Sequence, residues 1–366
     1  MTTRALSLAL ALTGLATCAA LAQVSLTTPA APGEVHIALG RTPKALVQEL
    51  HSVPLVAGEN LVTVSWQDAK VDRASCLLRA VDAASGAEVG PLTFPAGQDK
   101  AVQWQLTTRQ AGEQRFRLCY LLDGLTWRVQ YALRLSEAGT SGELTGQAIV
   151  SNDSGQDFES ARLRLASGPE ATVKMVQGEA ISAPYVQAPQ VRVQQLLVYD
   201  DALYGDAVGV HYLLVNDAAS GLGREPLASG KLRVQRGQGA DEVLVGEGVL
   251  PYLPPGEKAE FLVAFAQDIK VTRRQASSER VNIRRDNEKQ VTLFDLDEGY
   301  EVEIVSEREE SVKLRFVEHV DGDWDLMSAS TGHTQPDATS LAFELTIGAG
   351  ETAKLTYKVK RNNLTP

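Results

Sequence analysis

The sequence contains few of the residues from which catalytic and metal sites are usually built. It has three cysteines and five histidines in 366 residues. The histidines lie far apart: His36, His51, His211, His319 and His333. A zinc site needs three or four converging ligands, and the short motifs that position a nucleophile, a metal or a phosphate are missing. We therefore predict no catalytic residues, no cofactor and no histidine- or cysteine-based metal site.

Positive charge is also scarce. Lysine and arginine number 35 against 46 aspartates and glutamates, a net charge of −11. Nucleic-acid binding requires a concentrated basic face, so this balance argues against a nucleic-acid partner. Hydrophobic residues make up 44% and charged residues 22% of the chain, which is typical of globular proteins.

Long apolar runs are missing except near the N-terminus. Arg4 precedes an apolar run over residues 5–15, and Ala20-Leu21-Ala22 follows. This order is typical of a secretory signal peptide, and the run is shorter than the roughly 20 residues that span a bilayer. We predict a signal peptide over residues 1–22, export to the periplasm or surface of a bacterial cell, and no transmembrane segment after its removal.

The three cysteines leave two questions open. Cys18 follows Thr17, whereas a lipoprotein signal usually has a small residue there, so lipidation of Cys18 is the alternative to cleavage after Ala22. Cleavage leaves Cys76 and Cys119, and an even pair in an exported chain permits one disulfide. Both lie in apolar, strand-like runs, so two separately buried thiols are the other interpretation.

Alternation of apolar and polar residues recurs along the whole chain. It is clear over residues 61–66, 116–122 and 127–135, with an Asp123-Gly124 turn between the last two. A period of two predicts strands, and short strands separated by turn residues favour sandwiches over parallel α/β units. We predict an all-β fold of two or three immunoglobulin-like β-sandwich domains in tandem, with antiparallel strands and little helix.

Shifts in composition suggest where the domains divide. We predict an N-terminal β domain over residues 34–112, a central β-sandwich region over 113–275 and a C-terminal immunoglobulin-like sandwich over 280–362. Residues 170–190 lose the alternation and gain alanine, glutamine and proline, which predicts a long loop. The segment 270–285 contains five arginines and is interpreted as the junction to the last domain.

Several motifs give the chain a family resemblance. They are Tyr120, Asp123-Gly124, Trp127-Arg128, Tyr131, Asn152, Gly155-Gln156-Asp157-Phe158, Ala166-Ser167-Gly168-Pro169, Ala228-Ser229-Gly230 and Gly246-Glu247. In order and spacing they resemble the domain of unknown function 4139 family of mucoidy-inhibitor-A-like proteins. The likeness runs from about Arg115 to Val359, with Phe158 in place of the usual tryptophan, and without the coiled-coil insertion of larger members. The resemblance implies β-sandwich domains in a bacterial envelope, and it implies no catalytic residues.

The best metal-like pattern is a run of alternating carboxylates. Asp321, Asp323 and Asp325 alternate with Gly322 and Trp324. Such a run could supply oxygens to Ca²⁺, which takes six to eight of them. An acidic hairpin turn is the simpler interpretation, because the glycine and glutamate required by an EF-hand loop are missing.

Two other groups could contribute to a binding or catalytic surface. Trp127 and Tyr131 share one face of a predicted strand and could contact a sugar, although packing in the core explains them as well. Acidic residues at 200–206 and 295–298 could form a glycosidase-type carboxylate pair, although exposed turns also explain them. We therefore expect a non-enzymatic exported envelope protein that binds or scaffolds a partner protein or surface polysaccharide. A carboxylate-dependent hydrolase acting on cell-wall or surface glycan is the alternative, and a Ca²⁺-stabilised adhesion module is a third.

Overall fold

A computed structural model of the protein describes residues 25–27, 31–40, 42–82, 86–237 and 239–366. The predicted signal peptide and Cys18 lie outside these residues. The described chain forms twenty-four strands, a single four-residue α-helix and short 3₁₀ turns. The prediction of an all-β fold with little helix is confirmed.

The strands are numbered in chain order. The first eight are β1 (Ser25–Thr27), β2 (Glu34–Leu39), β3 (Ala45–Leu55), β4 (Gly58–Ser65), β5 (Val71–Ala80), β6 (Glu88–Thr93), β7 (Ala101–Thr108) and β8 (Gly112–Leu122). The next are β9 (Leu125–Leu135), β10 (Ser141–Asn152), β11 (Phe158–Leu165), β12 (Ala171–Met175), β13 (Ala180–Asp200), the helix α1 (Asp201–Tyr204), β14 (Val208–Val215), β15 (Gly230–Arg236), β16 (Val243–Leu250) and β17 (Lys258–Ala266). The last are β18 (Ile269–Arg285), β19 (Val291–Ser306), β20 (Val312–His319), β21 (Asp323–Ala329), β22 (His333–Asp337), β23 (Ser340–Ile347) and β24 (Thr352–Leu364).

Two sheets form the N-terminal part of the molecule. One has the order β1-β4-β7-β6 and the other the order β12-β11-β2-β3-β8-β5. Every second residue of β3 is buried from Ala45 to Leu55, so one face of the larger sheet supplies the core. The rings of Trp66 and Tyr120 meet across that core, with centroids 5.2 Å apart.

A ten-stranded sheet connects the centre of the molecule with its C-terminal part. Its main path is β16-β15-β9-β10-β13-β20-β23-β22, and β14 and β17 branch from β13. The first half of β13 pairs with β10, and its second half pairs with β14 and, in parallel, with β20. One 21-residue strand therefore belongs to two parts of the sheet.

The prediction of a loop over residues 170–190 is wrong, because β12 and the start of β13 occupy it. Pro184 and Pro189 are the reason why the sequence does not indicate a strand here. They lie where the register with β10 shifts, and no other described strand pairs with the second edge of this half. Proline is tolerated at edges and bulges because it cannot donate a hydrogen bond to a neighbouring strand.

The C-terminal sheet has the order β18-β19-β24-β21. It packs on the end of the ten-stranded sheet, where the rings of Phe343 and Tyr357 lie 5.2 Å apart. The arginine-rich segment predicted as a junction is mostly β18, a long exposed edge strand paired with β19. Arginine side chains on such an edge discourage pairing with another chain.

The predicted domain boundaries do not coincide with sheet boundaries. The division at residue 112 falls at the start of β8, which pairs with β3 and β5, and β11 pairs with β2. The pairing of β13 with β20 spans the division near residue 275. Independent folding of the three segments stays a prediction. Among the described residues, no helix has the length and apolarity needed to cross a bilayer.

Candidate functional site

A cleft of about 670 Å³ opens between the paired strands β10 and β13 and the segment 221–227. We call it the loop cleft. Its lining comes from both strands, from Gly168-Pro169 after β11, and from that segment. Strands far apart in sequence therefore build it, and it lies where several motifs of the family resemblance converge.

Tyr185 forms the floor of the loop cleft. Gly146 pairs with Val186 and Gln147 with Pro184, so Tyr185 is the extra residue of a β-bulge, a feature that commonly redirects a side chain. Its ring is 3% exposed. The Tyr185 hydroxyl accepts a hydrogen bond from the Ala228 amide at 3.0 Å and lies 2.5 Å from Ser167 Oγ.

Two glycines allow the chain to approach the aromatic rings of this floor. A Cβ at Gly146 would lie 2.8 Å from Val186 Cγ1 and 3.1 Å from the Tyr131 ring. A Cβ at Gly168 would lie 2.8 Å from the Tyr185 ring, and Gly168 has a φ of +95°, which disfavours any side chain. Both positions therefore require glycine for packing reasons.

Asn216 holds the outer wall of the cleft in place. Its side chain is fully buried. Asn216 Oδ1 accepts from the Gly223 amide at 2.7 Å, and Nδ2 donates to the carbonyls of Glu225 and Leu253 at 2.9 and 3.0 Å. The Glu225 carboxylate in turn accepts from the Gly168 amide. The wall is therefore preorganised, which lowers the entropic cost of binding a ligand.

The groups that face solvent at the loop cleft are mostly neutral and polar. Thr145, Gln147 and Gln187 line it from the two strands, and Arg224 and Glu225 line it from the wall. Within the described part of the chain, the Arg224 guanidinium has no ion-pair partner. The cleft therefore offers hydroxyl and amide groups together with one cation. Its lining contains no histidine or cysteine.

Trp127 and Tyr131 lie beneath this cleft. Tyr131 is buried, its hydroxyl donates to the Ala228 carbonyl at 2.7 Å, and burial raises its pKa. Trp127 is half-buried, and its indole N–H donates to the Gly40 carbonyl at 3.1 Å. Both rings pack against Tyr185, at centroid distances of 5.9 and 6.1 Å. Both rings therefore support the cleft from inside, in agreement with the interpretation of these residues as core-packing residues.

The alternating carboxylates Asp321, Asp323 and Asp325 are exposed. Asp325 accepts a hydrogen bond from the Asn362 side chain at 3.0 Å. In the part of the chain that the structure describes, no group of three or more His, Cys, Asp or Glu residues could hold a metal ion. The interpretation of this run as a hairpin turn is wrong, because β20 and β21 belong to different sheets and the turn between them crosses from one sheet to the other.

Cys76 and Cys119 are both free thiols on neighbouring strands. Leu77 is the register partner of Cys119, and successive residues of a strand point to opposite faces. Cys119 therefore shares a face with Leu77, while Cys76 points into the core. Burial raises the pKa of the Cys76 thiol to about 12. A disulfide would require the two Cβ atoms to face each other.

Two histidines, His211 and His319, lie next to carboxylates that are distant from them in the sequence. His211 Nδ1 lies 3.1 Å from Glu260 Oε1. His211 Nε2 lies 3.1 Å from the Tyr204 hydroxyl. The contacts with His211, and next those with Arg315, lower the pKa of Glu260 to about 2. His211 and Glu260 lie on the paired strands β14 and β17, and Arg315 lies on β20, which pairs with β13, so no local motif reveals their meeting.

Asp200, His319 and Ser340 form an acid–histidine–hydroxyl series. His319 Nε2 lies 3.0 Å from Asp200 Oδ1, and its Nδ1 lies 3.4 Å from Ser340 Oγ. Ser340, however, is buried and donates to Asp337 Oδ2 at 2.9 Å. Its proton is therefore directed away from the histidine, and the series does not form an accessible nucleophile.

Two buried carboxylates, those of Glu49 and Glu318, are each surrounded by donors. Glu49 accepts from the Tyr120 hydroxyl at 2.7 Å and contacts His51 Nε2 at 2.9 Å. Glu318 accepts two hydrogen bonds from Arg273, at 2.6 and 2.7 Å. A glycosidase places two carboxyl groups across a cleft, whereas these two acids lie in different parts of the molecule and line neither side of the loop cleft.

Comparison with protein-family models and with curated proteins matches none of them to this chain. The family resemblance therefore stays a prediction. In the structure its motif residues meet at two places. Tyr120 and Gln156 contact Glu49, and the Ser167-Gly168 and Ala228-Ser229-Gly230 segments surround Tyr131 and Tyr185.

Proposed function

We propose that this chain is an exported, non-enzymatic β-sandwich protein of the bacterial cell envelope, related to the family that it resembles. In this proposal the loop cleft binds a surface polysaccharide. The observation that carries the proposal is the preorganised cleft itself, whose wall is held by Asn216 and whose polar lining is mostly neutral.

A hydroxyl-rich polymer matches the chemistry of this lining. The amides of Gln147 and Gln187 can each donate and accept hydrogen bonds, as can the Thr145 hydroxyl. Arg224, which has no ion-pair partner in the described chain, can donate to sugar oxygens or to an acidic substituent. An open cleft also accommodates a few units of a long chain without requiring the ends of the polymer.

The direct test is glycan-array screening of the mature protein, followed by calorimetry with the best oligosaccharide. We expect the double variant Gln147→Ala/Gln187→Ala to bind at least tenfold more weakly, because two polar contacts are lost. Gln130→Ala is the matched control, since Gln130 is exposed on the adjacent strand β9 and does not line the cleft. Failure of the mature protein to bind any envelope glycan would remove the proposal.

A hydrolase is the second candidate, and Glu225 is the carboxylate to examine. It lines the cleft and already accepts from the Gly168 amide. Release of reducing ends from the bound glycan, lost in Glu225→Gln, would replace the binding proposal with a hydrolytic one. Mass spectrometry of the mature N-terminus tests the leader: Gln23 as the first residue is expected, a lipidated Cys18 would replace cleavage after Ala22 with lipidation, and an uncleaved N-terminus would contradict export.

A further inference from the structure

A second cleft lies where two parts of the ten-stranded sheet separate. Gly246 and Gly248 of β16 lie against β17, so close that a Cβ at either would be 2.4 or 2.3 Å from a β17 carbonyl oxygen. Next to this contact, the start of β16 and the end of β17 line a cleft of about 790 Å³. We call it the end cleft. It shares no lining residue with the loop cleft.

A directed series of hydrogen bonds ends in the end cleft. The Arg308 guanidinium contacts Asp268 and donates through Nη1 to Gln195 Oε1 at 3.1 Å. Because arginine can only donate, the oxygen of Gln195 must face Arg308, and its amide nitrogen therefore donates to the Tyr212 hydroxyl at 3.0 Å. The hydroxyl accepts this bond, so its own proton must point elsewhere.

Tyr212 thus presents an unused donor to the cleft. It is 1% exposed, and it lines both the end cleft and a recess of about 240 Å³ that continues from it. Among the described residues, no group accepts the hydroxyl proton of Tyr212. An oxygen bound here can therefore accept a hydrogen bond from this hydroxyl.

Two guanidinium groups lie near this donor. Arg236 lines the end cleft and the recess, and within the described chain it has no ion-pair partner. Burial raises the pKa of Tyr212, while the charges of Arg236 and Arg308 act in the opposite direction. Arg308 is connected to the Tyr212 hydroxyl through Gln195, and Arg236 lines the same cleft and recess, so an anionic oxygen bound at Tyr212 would lie in a region that carries both cations.

The rest of the end cleft is apolar inside and acidic at its rim. Val243 and Val245 of β16 lie across from Ala264 and Ala266 of β17. The rim carries the exposed side chains of residues 307, 309 and 310, all glutamates. A simple anion would be repelled by these carboxylates, whereas a ligand that carries an amine beyond its anionic group would match both signs.

We propose that the end cleft binds a zwitterionic amphiphile. Its anionic oxygen accepts from Tyr212 between Arg236 and Arg308, its amine lies at the rim glutamates, and its apolar chain packs on the valines and alanines. This inference does not depend on polysaccharide binding at the loop cleft.

Calorimetry with four ten-carbon amphiphiles, each below its critical micelle concentration, tests the proposal. The probes are decylphosphocholine, with both charges, decanoate, decyltrimethylammonium and the uncharged decyl maltoside. We expect decylphosphocholine to bind at least tenfold more tightly than any of the other three. If decyl maltoside binds as tightly as decylphosphocholine, the cleft binds only the apolar chain and the proposal fails. If decanoate binds as tightly as decylphosphocholine, the rim glutamates do not bind an amine.

Substitutions test the individual contacts. Tyr212→Phe removes only the hydroxyl and should weaken decylphosphocholine binding roughly tenfold. Arg236→Gln, at an exposed position where misfolding is not expected, should have a similar effect. Arg233→Gln is the control, because Arg233 is on the same strand, bonds Glu247 and lies outside the cleft. Unchanged affinity in Arg236→Gln with a normal melting temperature would overturn the proposal.

Discussion

The loop cleft and the end cleft both contain residues of β13, yet they differ in what they leave unsatisfied. In the loop cleft, the buried polar groups of Asn216 and Tyr185 are bonded to protein, and the groups open to a ligand are mostly neutral. In the end cleft, no described residue accepts the proton of a buried hydroxyl, and the lining carries cations beside that hydroxyl and carboxylates at the rim. The loop cleft therefore has a preorganised shape, whereas the end cleft has polar and charged groups that are open to a ligand. The two clefts should respond differently to mutation, pH and salt.

We expect the largest effect from removing the Asn216 side chain, which holds the wall of the loop cleft. Asn216→Ala leaves the Gly223 amide and the Glu225 carbonyl without the partner that Asn216 supplies, while the Leu253 carbonyl keeps its hydrogen bond from the Leu227 amide. We expect this variant to lower the free energy of unfolding by about 2 to 4 kcal/mol. Urea unfolding measures this loss. Glycan binding should fall with it, while decylphosphocholine binding should persist under native conditions.

Asn362→Ala is the matched control for that experiment. Its amide makes one exposed hydrogen bond, to Asp325, and removing it should cost less than about 0.5 kcal/mol. Similar losses in the two asparagine variants would show that the wall is not held in the way described.

A pH series measures the electrostatic contribution of a carboxylate on β17, one of the strands that line the end cleft. The pKa of Glu260 is lowered from 4.5 to about 2 by His211 and Arg315. A carboxyl with a depressed folded pKa stabilises the protein above its unfolded pKa, and this stability is lost as the pH falls through the folded value. Glu260→Gln should therefore cost about 2 to 3 kcal/mol at pH 7, and much of that difference should disappear between pH 4.5 and 2.

Glu344→Gln provides the comparison for the pH series. Glu344 is 67% exposed and contacts the same Arg315 at 3.4 Å, so its loss should change the unfolding free energy by less than about 1 kcal/mol. A difference between Glu260→Gln and the wild type that stays constant down to pH 2 would contradict the assigned pKa.

Salt should distinguish the two clefts directly. Raising NaCl from about 0.05 to 0.5 M shortens the Debye length severalfold. We expect the affinity of the end cleft for decylphosphocholine to fall by roughly threefold to tenfold, because exposed charges contribute to it. Binding of a neutral oligosaccharide to the loop cleft should change less than about twofold. Calorimetry at the two salt concentrations decides between these outcomes.

The smallest effect concerns the thiols of the N-terminal sheet, which lie outside both clefts. Because Cys76 faces the core and has a pKa of about 12, we expect a thiol reagent at pH 8 to label Cys119 slowly and Cys76 only after unfolding. Cys119→Ser should shift the unfolding free energy by less than about 1 kcal/mol. A disulfide found by mass spectrometry under non-reducing conditions would contradict the strand register.

The all-β class was readable from local patterns because side chains of a strand alternate between faces, and Leu118, Tyr120, Leu133 and Leu135 are indeed buried at every second position. Asp123-Gly124 likewise marked the turn between β8 and β9. The same period says which face a residue occupies but not which strand lies beside it. For this reason the sequence identified Trp127 and Tyr131 as packing residues. It did not identify Tyr185, the residue that both rings contact, because Pro184 made its strand resemble a loop.

Both clefts result from pairings between distant segments. The loop cleft requires β10 beside β13 and a wall held by Asn216, and the end cleft requires β16 to meet β17 at two glycines. The registers of β2 with β11 and of β13 with β20 join residues more than a hundred positions apart. Alternation along the chain therefore specified strands and faces, and only the folded sheets, through long-range pairing and shared core burial, decided which polar groups meet.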